Sequence, residues 1–171
     1  MLNLFLPNQH VKSIFDIKPK TLVEKGIQGV ITDLDNTLVA WDNENATEEV
    51  INWFKQMAKH KIKVMILSNN NKQRVSTFSK PLNVPYVYRA RKPLLRSFSQ
   101  AQQQFNLEKK QIAVIGDQLL TDILGGNLGG FYTILVKPIV ETDAKITKLN
   151  RFIERRILNY FDKKGKLNKE D

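Results

Sequence analysis

Two aspartates one residue apart, Asp33 and Asp35, close the apolar run Gly29-Val30-Ile31 in the stretch Ile-Thr-Asp-Leu-Asp-Asn-Thr-Leu. Alternate side chains of an extended strand share a side, so both carboxylates can leave the strand end together. Charges that close repel unless a cation or a shared proton intervenes. A strand followed by an Asx-type turn explains the same residues without chemistry. Three further places could join them. Ser68-Asn69-Asn70-Asn71 follows the apolar segment 63–67 and offers a hydroxyl and backbone N–H groups to an anion, or is a plain loop. Lys92 precedes Pro93, which suits the first turn of a helix; lysine and helix start would both favour an anion. The alternative is a solvated basic cluster with Arg89 and Arg91. Gly116-Asp117 ends the apolar run 112–115, and Asp122 opens the next helix five residues on.

The elements that must position these residues alternate. Strands are expected at 29–31, 63–67, 85–88, 112–115 and 132–136. Thr47 reads as an N-cap, with Glu48 and Glu49 in the first turn of a helix whose apolar face is Val50, Ile51, Phe54, Met57 and Ala58. A helix over 74–79 stops at Pro81, and another after Pro93 presents Leu94, Leu95, Phe98, Ala101 and Phe105. Gly125, Gly126, Gly129 and Gly130 fit neither the Walker nor the dinucleotide spacing and read as turn and close-packing glycines. Residues 1–26 read as an irregular or helical lead-in packed on the sheet, with His10 at the surface or capping. Strands alternating with helices imply an α/β, doubly wound parallel sheet. Ligands of such sheets bind beyond the carboxyl ends of the strands, where Asp33, Asp35, Ser68, Lys92 and Asp117 all fall.

The 171 residues suit one domain with a real core. There is no cysteine, which excludes disulfides and thiolate metal sites. A net charge of +10 points to anionic partners: nucleic acid, anionic lipid or a phosphorylated substrate. The opening run 1–6 is too short for a signal h-region or a membrane span. The tail, 137–171, carries Ile146, Leu149, Ile153, Ile157 and Tyr160 at helical spacing, with Phe152 and Phe161 beside them. Between Lys145 and Lys166, eight basic residues face two acids. Such a helix can lie on an anionic membrane, or dock on the sheet with its basic face in water.

In order and spacing, Asp33-Leu-Asp-Asn-Thr37, Ser68, Lys92 and Gly116-Asp117-x4-Asp122 resemble the four motifs of the haloacid dehalogenase (HAD) phosphatases over residues 29–136. From Asp35 to Ser68 there is room for one helix and one strand, and from Ser68 to Lys92 little more, so no cap domain fits. The chain thus resembles the capless HAD-IIIA, YqeG-type group, related to phosphatidylglycerophosphate phosphatases. The resemblance implies a HAD phosphatase core at 1–137, including the lead-in, and a basic amphipathic extension at 138–171. It implies a phosphomonoester hydrolase in which Asp33 is the nucleophile and Asp35 the acid and base. It further implies phosphate binding by Thr37, Ser68, Asn69 and Lys92, Thr37 also supporting the loop. Mg²⁺ would be held by Asp33, Asp117 and the Asp35 backbone carbonyl, and Asp122 would support Lys92 or the metal waters. The expected substrate is phosphatidylglycerophosphate, met by a basic lip at Arg89, Arg91 and Arg96. The expected setting is cytoplasmic, with peripheral contact at the inner membrane face. A phosphorylated nucleotide or protein is the alternative substrate.

A response-regulator receiver also combines Asp, Ser/Thr and Lys on a doubly wound sheet. Its lysine follows the last of these strands, however, whereas Lys92 precedes the Asp117 strand. A non-catalytic nucleic-acid-binding HAD-fold protein rests on charge alone. The chain lacks the aromatic-interleaved basic stripe of single-strand binders, so nucleic acid is not the expected partner.

Overall fold

The computed structural model describes residues 2–140 and 145–167, and the side chains of all of these except 145–149. Among the described residues six parallel strands form one sheet: β1 (Gln9–Val11), β2 (Gly29–Thr32), β3 (Lys63–Leu67), β4 (Tyr86–Val87), β5 (Ile112–Gly116) and β6 (Tyr132–Val136), in the order β1-β6-β5-β2-β3-β4. The helices are α1 (Pro19–Glu24), α2 (Glu48–Lys59), α3 (Lys72–Ser79), α4 (Leu95–Phe105), α5 (Leu124–Gly129) and α6 (Lys145–Lys163). The fold is the expected doubly wound α/β sheet. Only α2 separates β2 from β3, and no helix longer than α3 separates β3 from β4, so no cap is inserted at either place.

The two faces of the sheet divide by strand alternation. Val30, Val64, Ile66, Ala113 and Ile115 face α1, α2 and α3, through Leu22, Val50, Trp53, Phe54, Met57, Val75 and Phe78. Ile31, Met65, Leu67 and Val114 face α4, through Phe98, Ala101 and Phe105. Gly125 and Gly126 lie at close approaches: a Cβ would strike the Phe98 ring at the first and the Thr133 methyl at the second. The central strands β2 and β5 are buried throughout, and their carboxyl ends deliver the aspartates.

Several local expectations change. The lead-in contains an edge strand, β1, paired in parallel with β6 through Gln9–Ile134 and Val11–Val136. Three residues are too few for periodicity to reveal. His10 accordingly sits half-buried in that strand rather than at the surface. The Lys92–Pro93 peptide is cis and α4 begins only at Leu95, so Pro93 precedes the helix and Leu94 and Leu95 are exposed. On α2, Ala58 is exposed and Trp53 takes a core place, its Nε1 donating to the Ile17 carbonyl at 3.3 Å.

The tail helix docks on the body, but not by its most apolar stripe. Glu154 and Phe161 are buried, and Arg151, Ile157 and Leu158 are half-buried; Ile157 and Leu158 pack on Leu119, Ile123 and Leu135. Phe152, Ile153 and Tyr160 face outward, 53%, 40% and 44% exposed. Ile146 and Leu149 lie outside the residues whose side chains are described.

Candidate active site

Each strand end contributes one group. β2 runs into Asp33, whose backbone N–H still donates to Ile115 of β5, so the side chain is held at the sheet's carboxyl edge. The chain then turns through Asn36 (φ 64°) and back, Asn36 N–H donating to the Val39 carbonyl at 2.7 Å. Asn36 is among the residue types that tolerate this left-handed conformation. β3 ends at buried Ser68, β5 at Gly116 and Asp117. Gly116 has a steric reason: any Cβ there would overlap the Asp122 carboxyl, which crosses beneath it.

Asp33, Asp117 and Asp122 form a buried cluster in which one carboxylate oxygen from each lies within 4.8 Å of the others. Lys92 neutralises part of it, its Nζ donating to Asp33 Oδ1 at 2.8 Å and Asp122 Oδ1 at 2.7 Å. Gln118 N–H supports the other Asp122 oxygen at 3.1 Å. Burial lowers the Lys92 ammonium, but Asp122 and Asp33 outweigh it and hold the group above its ordinary value. Burial pushes Asp122 up to about 6 against the pull of Lys92. Burial, followed by the charge of Asp33, also raises Asp117 well above the carboxylate range, against the pull of Arg151. Carboxylates raised chiefly by burial are ones whose charged form lacks solvation, which a bound cation can replace. Hard oxygen donors clustered in such surroundings suit a hard divalent cation.

The remaining expected residues have definite partners. Thr37 Oγ1 donates to Asp117 Oδ1 at 3.1 Å, so its hydroxyl serves that carboxylate. Ser68 Oγ accepts from Asn70 N–H at 3.1 Å. Asn69 spans both backbone groups of Lys92, accepting from its N–H at 2.7 Å and donating to its carbonyl at 3.3 Å. Its side chain thereby positions the lysine. Asp35 stands apart from the cluster: Arg74 Nε and Nη2 donate to its Oδ1 at 3.0 and 2.9 Å, and Asn70 Nδ2 donates to its Oδ2 at 2.9 Å. Arg89, Arg91 and Arg96 are exposed, Arg89 and Arg91 with positive φ on either side of buried Ala90.

Arg74, Asn70 and Arg151 were not among the expected site residues. Arg74 lies in the first turn of α3, one helical turn from the Ser68 loop, and Asn70 belongs to the asparagine run that reads as loop. Arg151 comes from α6, where sequence shows only one more basic residue in a basic helix. Its guanidinium donates to the Asp117 carbonyl at 2.8 Å, pairs with Asp117 Oδ2, and reaches Glu154 at 3.2 Å.

The family profile described as mitochondrial PGP phosphatase matches residues 2–141. A Bacillus subtilis protein, "Probable phosphatase YqeG", is 52% identical over 98% of this chain and 97% of its own length. An Arabidopsis thaliana "Phosphatidylglycerophosphate phosphatase 1, chloroplastic/mitochondrial" is 26% identical over 94% of this chain, which spans about half (49%) of that protein. Among solved structures, a cobalt-bound deoxy-D-mannose-octulosonate 8-phosphate phosphatase from Haemophilus influenzae superposes with TM-score 0.56 at 16% identity, over 79% of this chain and 89% of that one. A haloacid dehalogenase-like hydrolase from Brucella suis gives TM-score 0.52 at 9% identity, over 75% and 93%. These two likenesses bear on the fold, which is that of the HAD hydrolases.

Proposed function

This chain belongs to the PGP phosphatase family and is a phosphatase of the HAD type, and we propose that it removes the terminal phosphate of phosphatidylglycerophosphate through an aspartyl-phosphate. The observation that carries the chemistry is the bridge from Lys92 to Asp33 and Asp122 beside Asp117. Asp33 attacks phosphorus, a new O–P bond forms, and the ester P–O bond breaks. Asp35 gives the departing alkoxide its proton and later takes one from water. That water oxygen bonds to phosphorus, the Asp33–phosphorus bond breaks, and inorganic phosphate leaves. Arg74 and Asn70 set the direction in which Asp35 faces. Lys92 and Ser68 hold phosphoryl oxygens, with Thr37 and Asn69 supporting them through Asp117 and the Lys92 backbone. Asp33, Asp117 and the Asp35 carbonyl would hold a divalent cation, Mg²⁺ by its preference for oxygen ligands. When bound, it offsets repulsion between the carboxylates and the incoming phosphate.

The lipid substrate is supported by the likeness to the Arabidopsis phosphatidylglycerophosphate phosphatase, by the exposed Arg89, Arg91 and Arg96, and by the basic face of α6. We take 1–137 as the catalytic unit and 138–171 as its extension. We place the enzyme on the cytoplasmic side, meeting its substrate at the membrane surface. Among the described residues no helix is long and apolar enough to cross a membrane.

The test is phosphate release with Mg²⁺ from phosphatidylglycerophosphate in mixed micelles and from glycerol 3-phosphate. The lipid should be hydrolysed faster, and Asp33→Asn should lower the rate by about 10³-fold or more. Release from soluble esters alone, including nucleotides or phosphoproteins, would discard the lipid and keep the phosphatase. Asp33→Asn within a few-fold of wild type would remove the nucleophile.

A further inference from the structure

Two opposite faces of α6 have unlike partners. At 3.6 residues per turn, Arg151, Glu154, Leu158 and Phe161 fall on one side and Phe152, Ile153, Arg156, Tyr160 and Lys163 on the other. The inner side reaches the active site. Arg151 takes the carboxylate and the carbonyl of Asp117, and Glu154 Oε1 accepts Leu120 N–H at 3.1 Å. Thr37 already occupies Asp117 Oδ1. Arg151 therefore holds the remaining oxygen, and its fixed positive charge stands where a divalent cation on Asp117 would be repelled. A cavity of about 480 Å³ opens beside this seat, lined by Arg151 and Leu158 of the helix and by Leu119, Leu135 and Lys137 of the body.

The outer side is apolar and basic at once. Phe152, Ile153 and Tyr160 are exposed, and the Arg156 guanidinium lies 5.6 Å from the centre of the Phe152 ring. Lys163, Lys164 and Lys166 follow, all exposed. Aromatic and aliphatic side chains flanked by cations match an anionic bilayer, which offers hydrocarbon depth and negative headgroups together.

We propose that α6 is a latch on the active site: docked, it keeps Arg151 on the cation-binding side of Asp117, and an anionic lipid surface, which can take up Ile157 beside Ile153 and Tyr160 only when the helix lifts from the body, draws it off and frees that carboxylate. This rests on the reading that Asp117 holds a divalent cation. Cation binding and lipid binding would then be reciprocal, each favouring the undocked helix.

The test uses the full chain and Mn²⁺ alone, followed by the loss of the free-ion electron paramagnetic resonance signal. Arg151→Gln should bind Mn²⁺ roughly 5- to 50-fold more tightly than wild type. Unchanged or weaker binding overturns the latch, because Arg151 would then be positioning Asp117 for the ion. Asp117→Asn separates the two levels of the claim: unaltered Mn²⁺ affinity there refutes the cation reading itself. The lipid arm needs no metal. The Leu120 amide, protected by Glu154 while α6 is docked, should exchange hydrogen faster on vesicles containing phosphatidylglycerol and not on phosphatidylcholine alone. Phe152→Ser/Ile153→Ser, altering exposed side chains only, should abolish that response. Exchange at Leu120 that ignores anionic vesicles, or a response that survives the double variant, overturns the coupling to lipid.

Discussion

Lys92 and Arg151 bring positive charge to one carboxylate cluster by different means, Lys92 at Asp33 and Asp122 and Arg151 at Asp117. Lys92 belongs to the sheet's own connections, its side chain is 3% exposed, and Asn69 clamps its backbone on both sides. Arg151 comes from an appended helix, is 14% exposed, and is held by its own guanidinium contacts and those of neighbouring Glu154. The first is locked by covalent and hydrogen-bonded surroundings; the second can leave with its helix. Depth and backbone anchoring therefore distinguish a permanent charge in this site from a removable one.

The contrast can be broken at several points. Lys92→Ala should have the largest effect, leaving Asp33 and Asp122 buried without their shared cation. A loss of about 3–5 kcal/mol in urea unfolding is expected, with phosphate release down by about a hundredfold or more. A variant as stable as wild type would erase the distinction. Phe98 and Phe161 are both fully buried, one in the core and one in α6. Phe98→Ala should cost about 3–5 kcal/mol. Phe161→Ala should leave the main transition within about 1 kcal/mol and instead speed hydrogen exchange in α6. Equal losses would make α6 part of the core.

The smallest effect is on pH. Asp122 at about 6, together with raised Asp117 and Glu154, means that the folded state binds protons more tightly than the unfolded chain. Stability of the metal-free protein is then lost as pH rises from the ordinary carboxylate range through the folded values. Taking it from pH 7.5 to 5 in chelator should stabilise it by roughly 1 kcal/mol, seen as a higher unfolding midpoint. A midpoint that falls over this interval would show the cluster to be already balanced by Lys92 and Arg151.

The central sheet was legible because its strands are long apolar runs and its helices keep strict period. The carboxylate set was legible because Asp33, Lys92, Asp117 and Asp122 sit at element ends, where residue type and position speak together. Three things escaped. β1 is too short to show a period. Arg74 reaches Asp35 only through the angle at which α3 leaves its Asn71 cap. The tail misleads for a physical reason: Ile153 and Tyr160 advertise a buried stripe, yet the docked side is built on the Arg151–Glu154 pair, which burial conceals from any hydropathy pattern.

The borders of the sheet bear on how the protein behaves in company. β1 and β4 contribute three and two residues, while the strands inside them run to four or five. A neighbouring molecule seeking to extend the sheet would find hardly a pair of amides to grip at either side. Borders this short leave copies at high local concentration few backbone groups through which to extend one another's sheet.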